Sequence, residues 1–252
     1  MEIDYNTNCF EGSWKVMLQT NYLEETIKNN KINFDKKNLW INNVEDWDEV
    51  AHYAQKAVDK GVLTNFYNCE DYIEEAMAHF DVNRSDKSLG RGYPYSVGSL
   101  CAIYNCKKEW MLYFTDDAYV PFEVDWIPET VKFIEETPKV RFGNLMWGRG
   151  IEKISWPTVK REAYYETSDY FVGYGFSDQC YLAKTDLLKN LDYNMSHKLS
   201  DRRFSKQRKP GTSFEKRIEA WKLNNDAHRA TFKNGFYVHA SVMNSRKKRM
   251  AK

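Results

Sequence analysis

Trp110-Met-Leu-Tyr-Phe-Thr-Asp-Asp-Ala118 is an apolar, strand-like run that stops abruptly at two adjacent carboxylates, Asp116 and Asp117. Aromatic and branched residues at this density belong to a buried strand, and an unpaired carboxylate is costly to bury. The acids are therefore expected at the strand's exposed end, facing a cation or a polar ligand. Hard divalent cations such as Mg2+ and Mn2+ take oxygen ligands and are commonly held by one or two carboxylates plus phosphate oxygens, so a phosphate-bearing ligand is the natural companion of such a pair. An Asp-rich turn explains the same residues equally well, because Asp is favoured in turns through hydrogen bonds of its own.

Upstream of this strand the signals alternate. Lys15-Val-Met-Leu-Gln-Thr20 reads as a short buried strand, followed by a brief helix or turn over 23–29, and 38–43 reads as a second strand. Trp47, Val50, Ala51, Ala54 and Val58 recur at three- and four-residue steps, which predicts an amphipathic helix over 45–60 closed by Gly61. A strand over 62–67 and a helix over 69–80 follow. Past the turn at Gly90-Arg91-Gly92, a helix over 95–106 leads back to Trp110. Alternation of this kind implies α/β architecture, with a mostly parallel central sheet flanked by helices and ligands bound outside the carboxyl ends of the strands.

The downstream half is less regular. A helix is expected over 129–136, a strand over 140–147, a strand-rich region over 164–182 containing Gly173-Tyr-Gly175, and a short helix over 184–190. The stretch 196–211 is basic, without apolar periodicity, and contains Pro210 and Gly211; it reads as a mobile loop. A helix over 213–224 and a short last strand over 235–240 complete the pattern.

Composition sets the class. With 252 residues, 42% of them hydrophobic, there is ample material for a packed core, and no internal repeat or low-complexity tract interrupts it. Lys plus Arg (37) nearly balance Asp plus Glu (36), so global charge gives no argument for nucleic acid as a partner. No apolar run reaches the length of a membrane span and the first residues lack signal-peptide character, from which a cytoplasmic location is expected. The cysteines Cys9, Cys69, Cys101, Cys106 and Cys180 form no CxxC pair and are expected to be buried thiols.

The order of these features is informative: an alternating N-terminal half, acids after its last strand, a glycine-containing turn, an acid at a helix start, and a histidine near the end. In that order the chain resembles the GT-A superfamily of nucleotide-sugar-dependent glycosyltransferases, over roughly 14–241. The resemblance implies a single GT-A-like domain: a nucleotide-sugar-binding half over about 14–120, an acceptor-binding half over about 121–241, and a basic tail over 242–252. It also implies a nucleoside-diphosphate-sugar donor, a saccharide or other hydroxyl acceptor, and Mn2+ or Mg2+. The family's metal-binding DxD falls on Thr115, Asp116 and Asp117, so Thr115 stands where the first family Asp would be. Asp116 and Asp117, completed by His239, are then the expected metal ligands, with Asp116 also facing the donor.

Other positions carry over in the same way. Thr20, Asn21, Asn42 and Asn43 fall where the family contacts base or ribose, Arg91 and Tyr95 where groups face the donor, and Gly173 and Gly175 on the glycine loop. Glu215 matches the carboxylate that serves as general base in inverting members, with Asp178 as second choice. Lys198, Arg202, Arg203, Lys206, Arg208 and Lys209 would form a lid over the diphosphate. Trp147, Trp156, Tyr164, Tyr165 and Tyr174 would face the acceptor, and the tail 245–252 offers weak contact with an anionic membrane surface.

Each position also has a plainer explanation. An Asn at 42 or 43 can cap the helix that follows, Arg91 can be a solvated loop residue, and the glycines can serve turns. Glu215 can be a dipole-favoured acid at a helix start, and His239 a core residue. A non-catalytic carbohydrate- or nucleotide-binding protein that retains the fold is the alternative function. A nucleic-acid-binding role for the basic segments is opposed by the near-zero net charge and the lack of a binding signature.

Overall fold

Trp110, Leu112 and Phe114 face one buried cluster and Met111 and Tyr113 another, so the strand is covered on both sides. In the computed structural model, which describes residues 1–82, 89, 93–148, 156–204 and 213–239 apart from the side chains of 93–95 and 156–157, this run is one strand of a ten-stranded sheet. The strands are β1 (Ile3–Cys9), β2 (Lys36–Ile41), β3 (Asn65–Asn68), β4 (Trp110–Phe114), β5 (Ala118–Tyr119), β6 (Val140–Gly148), β7 (Ala163–Glu166), β8 (Tyr170–Gly173), β9 (Cys180–Lys184) and β10 (His228–His239). Their order is β3-β2-β1-β4-β9-β6-β10-β8-β7, with β5 paired to β10.

β3, β2, β1 and β4 are mutually parallel, β9 is antiparallel between β4 and β6, and β10 runs parallel to β6. The carboxyl ends of β1, β2, β4, β6 and β10 therefore share one edge of the sheet. One face is covered by α1 (Trp14–Gln19), α2 (Tyr22–Lys28), α3 (Trp47–Asp59) and α6 (Ile127–Glu136), through residues such as Met17, Leu23, Val50 and Val131. The other carries α4 (Ile73–His79), α5 (Tyr93–Asn105), α8 (Thr185–Lys189) and α10 (Phe214–Asn224), through Met77, Leu100, Leu188 and Ile218. α7 (Trp156–Glu162) and α9 (Lys198–Arg203) complete the helices among the described residues.

The structure revises several sequence expectations. The first strand is Ile3–Cys9, buried along its whole length, and the segment expected as a strand over 15–20 is helix α1. A three- or four-residue apolar run cannot be assigned by periodicity alone. Within the expected loop over 196–211, Lys198–Arg203 is helical, held by the buried Ser200, whose hydroxyl donates to the Lys216 carbonyl at 3.2 Å. The last strand is twelve residues long, and its pairing with β6 breaks between Phe232 and Phe236. All five cysteines are buried and unpaired by disulfides, as expected. Among the described residues no helix is long and apolar enough to cross a membrane.

Candidate functional site

β4 ends at Phe114, and the next three residues turn onto the carboxyl edge. The Thr115 N–H donates to the Gln179 carbonyl, the Ala118 N–H donates back to the Thr115 carbonyl, and the Thr115 hydroxyl donates to Asp117 Oδ1 at 2.6 Å. β5 then pairs with β10, Ala118 opposite His239, and this register brings His239 Nε2 to 3.1 Å from Asp117 Oδ2. Burial alone would raise the Asp117 carboxyl, but the bonds from His239 and Thr115 overcome it and hold it below the ordinary range. The same bond to Asp117 raises the His239 imidazole.

Asp116 is placed differently. It is 8% exposed, and its carboxylate accepts from the side chains of Ser13 and Asn8 instead of joining the Asp117–His239 pair. Burial and the neighbouring Asp117 push it up to about 7. Asn8 is itself fixed by the Tyr113 hydroxyl, which donates to its side-chain carbonyl at 3.0 Å.

Asp178 enters from the turn between β8 and β9, where burial and Asp117 push it up to about 6. Glu215 sits in the first turn of α10, whose N-cap Ser213 accepts from the Lys216 N–H. Burial, followed by Asp178, raises the Glu215 carboxyl well above its ordinary value, while Arg203, 3.7 Å away, opposes the shift. Asp178, Glu215 and His239 line a single cavity of about 540 Å³, together with Trp147, Asn144 and Arg229.

Along the wall of this cavity runs a charge cluster that the sequence does not reveal. Arg203 reaches Glu219 and is 3.3 Å from Glu162, whose other oxygen accepts from Arg229 at 3.1 Å. Lys222, fully buried, donates to the carbonyls of Tyr174 and Gly175. The partners are scattered along 162–229, and each is a lone charged residue with no local pattern to mark it. Arg203, expected in a lid, is turned inward onto these acids; Lys206, Arg208 and Lys209 lie outside the described residues.

The remaining expected positions divide. Thr20 and Asn21 lie between α1 and α2 instead of after a strand, and they serve those helices: Thr20 bonds the Val16 carbonyl and the Tyr22 N–H, and Asn21 bonds Glu25. Asn42, buried, and Asn43, exposed with φ 49°, follow β2 at the carboxyl edge. Neither caps α3. Asp46 does, accepting from the Glu49 N–H at 3.0 Å. Gly173 and Gly175 are packed against Glu162: an added Cβ would fall 2.1 Å from its carbonyl oxygen at the first and 2.0 Å from its carboxylate at the second. Their missing side chains make room for this glutamate. Arg91, the side chains of Tyr95 and Trp156, and the basic tail lie outside the described residues. Tyr164 and Tyr165 are exposed, and of the expected acceptor-side aromatics described, Trp147 lines the cavity.

An octahedral Mn2+ or Mg2+ with ligands about 2.1 Å away sets neighbouring donors about 3 Å apart. The Asp117–His239 separation of 3.1 Å fits two such ligands, and a carboxylate with an imidazole is a donor set Mn2+ accepts. Among the described residues no group of three or more His, Cys, Asp or Glu is arranged to hold a metal ion.

No family model and no curated protein matches the sequence. Solved structures do match its fold. The Pyrobaculum calidifontis mannosyltransferase PcManGT, solved in complex with GDP-Man and Mn2+, superposes with a TM-score of 0.53 over 95% of this chain and 56% of its own, at 11% identity. S. aureus TarS 1-349 gives 0.51 over 96% and 61%, at 16% identity. A longer S. aureus TarS gives 0.51 over 95% and 36%, at 14%. The chain thus spans between about a third and three-fifths of the length of these proteins. At such identities the likeness concerns the fold, and the chain carries the GT-A fold, as the resemblance implied.

Proposed function

We propose that the chain is a divalent-metal-dependent glycosyltransferase that moves a sugar from a nucleoside-diphosphate-sugar donor to a hydroxyl on a glycan, lipid-linked glycan or protein. One observation carries the reading: the Asp117–His239 pair, Asp178 and Glu215 come from four separate segments to one carboxyl edge, three of them opening on the same 540 Å³ cavity. The mannosyltransferase of similar fold, solved with GDP-Man and Mn2+, supports the choice of donor class and ion.

Asp117 and His239 would hold the metal, which supplies positive charge where the departing diphosphate gains negative charge. Asp116 anchors the end of β4 through Asn8 and Ser13 and so fixes Asp117. Glu215 is the first choice to take the proton of the acceptor hydroxyl in an inverting transfer, since it lines the cavity from the first turn of α10. Asp178, which faces the same cavity, is the second.

Thermal shift against nucleoside diphosphates and sugar nucleotides, with and without Mn2+, tests the donor reading, because a ligand selective for the folded state raises Tm. Asp117→Ala is expected to abolish the Mn2+-dependent part of that shift and to lower transfer about 100-fold or more. No shift with any donor would reject the reading. Thr115, in place of the first family Asp, favours a second reading, a donor-binding protein without turnover; a thermal shift without transfer to any acceptor would select it.

A further inference from the structure

Arg203 ends α9, and its guanidinium is pinned from several sides before it meets Glu215. Glu219 takes Nη1, Glu162 stands 3.3 Å from Nη2, and the Phe176 carbonyl accepts from Nη2 at 3.3 Å. Glu219 is held in turn: its side chain is fully buried and accepts from the Phe176 N–H at 3.3 Å. These anchors come from α7, α10 and the turn between β8 and β9. An arginine fork is planar and rigid, so contacts on both terminal nitrogens fix its plane as well as its place.

The same Nη2 stands 3.7 Å from Glu215 Oε1, an ion pair longer than a hydrogen bond. The two side chains are 27% and 23% exposed and both line the cavity, so this contact is the part of the cluster that a ligand can reach. The other charges of the cavity wall are acids or cations already taken. Asp178 from the β8–β9 turn and Glu162 from α7 are carboxylates, as is Glu219 on α10 itself, and each disfavours a negative charge on Glu215. On β10, Arg229 is engaged by Glu162 and His239 by Asp117. Among the described residues Arg203 is the cation paired with Glu215, and it opposes the upward push of burial and of these acids.

We infer that Arg203 is a positioning residue for the base of the transfer: anchored on Glu162 and Glu219, it holds Glu215 on the cavity wall as a carboxylate able to take a proton, an inference that rests on the transferase reading. A knot that only tied the sheet to α10 would be complete with Glu162, Glu219 and the Phe176 carbonyl. The contact with Glu215 adds little to such a knot, because an ion pair exposed to this degree contributes little stability. Its effect falls on the proton instead: a cation this close to a carboxylate weakens proton binding about 10- to 1000-fold.

The test is the titration of the Glu215 carboxyl by carbon NMR in the full chain, isotopically labelled at the glutamate Cδ, with the resonance assigned by its loss in Glu215→Gln. In Arg203→Gln the midpoint is expected to rise by about 1 pH unit or more, and the acid limb of kcat for sugar transfer to rise with it. Arg203→Lys keeps a charge without the fork and should show a smaller rise. Glu162→Gln loosens the same knot but removes a repelling acid, so its midpoint should fall. A purely structural role predicts a fall towards the ordinary glutamate value in every variant, because a loosened cluster lets water in. An unchanged or lowered midpoint in Arg203→Gln therefore overturns the inference, and a fall in Arg203→Lys does so should the glutamine variant not fold. The two claims fail separately: an unchanged midpoint beside an inactive Glu215→Gln sinks the positioning role alone, and a raised midpoint beside a fully active Glu215→Gln sinks the base assignment.

Discussion

As the proposed general base, Glu215 would link the protein's stability to its chemistry through one proton. Its folded pKa lies well above the ordinary glutamate value of 4.5, so between those two values the folded state holds a proton that the unfolded chain has released. The unfolded state then binds fewer protons, and stability must fall as pH rises through that window. Activity moves the other way, because a base works only after losing its proton. In Glu215→Gln, transfer is expected to drop about 100- to 10,000-fold, and urea titrations between pH 5 and 8 should show a flatter stability profile than the parent. A variant that keeps the parent's activity would remove Glu215 from the base role.

At this scale the sequence was legible where function follows chain order and silent where it follows contact. Asp117, Glu215, Asp178 and His239 were singled out because the resemblance follows chain order, and the fold brings them to one edge of the sheet. Asn144, Glu162 and Arg229 could not. Each is a single polar residue in or beside an apolar stretch, and its meaning appears only when β6, β10 and α7 come together.

Among the elements, polarity misleads most. β1 reads Ile-Asp-Tyr-Asn-Thr-Asn-Cys, which resembles a turn-rich segment, yet every residue is buried. Its middle asparagine is tied to its neighbours: Asn6 accepts from Asn38 at 3.2 Å and from the Trp40 indole at 3.0 Å, and Asn38 in turn accepts from Asn65. A ladder of amides across three strands thus takes the place of apolar packing, and hydropathy cannot detect it. α3 shows the opposite case, where the apolar spacing located the helix, and the cap offered as the plainer explanation of Asn42 or Asn43 falls on Asp46. Asp46→Ala is expected to cost about 1 kcal/mol, measured by urea denaturation, whereas Asn43→Gly, which keeps the left-handed backbone at φ 49°, should leave the helix end unaffected. Equal losses in the two variants would contradict the cap assignment.

For the molecule as a whole, the buried charges between the sheet and α10 depend on one another. Glu162 is the joint between Arg203 and Arg229, with a side chain 10% exposed. Removing one member of a buried ion pair strands the other, so Glu162→Leu should destabilise by about 3 kcal/mol or more. Calorimetry showing an unchanged Tm would mean that the cluster is dispensable.

β9 bears on the whole molecule in another way. It lies antiparallel between β4 and β6, so a segment made late in synthesis wedges into the middle of a sheet begun by the first residues. Until residues 180–184 arrive, β4 presents a bare hydrogen-bonding margin carrying the aspartates, ready to stick to any passing strand. The nascent chain therefore spends its most adhesive moment with Asp117 and His239 still apart, and its yield in a cell should depend on how quickly that gap is filled.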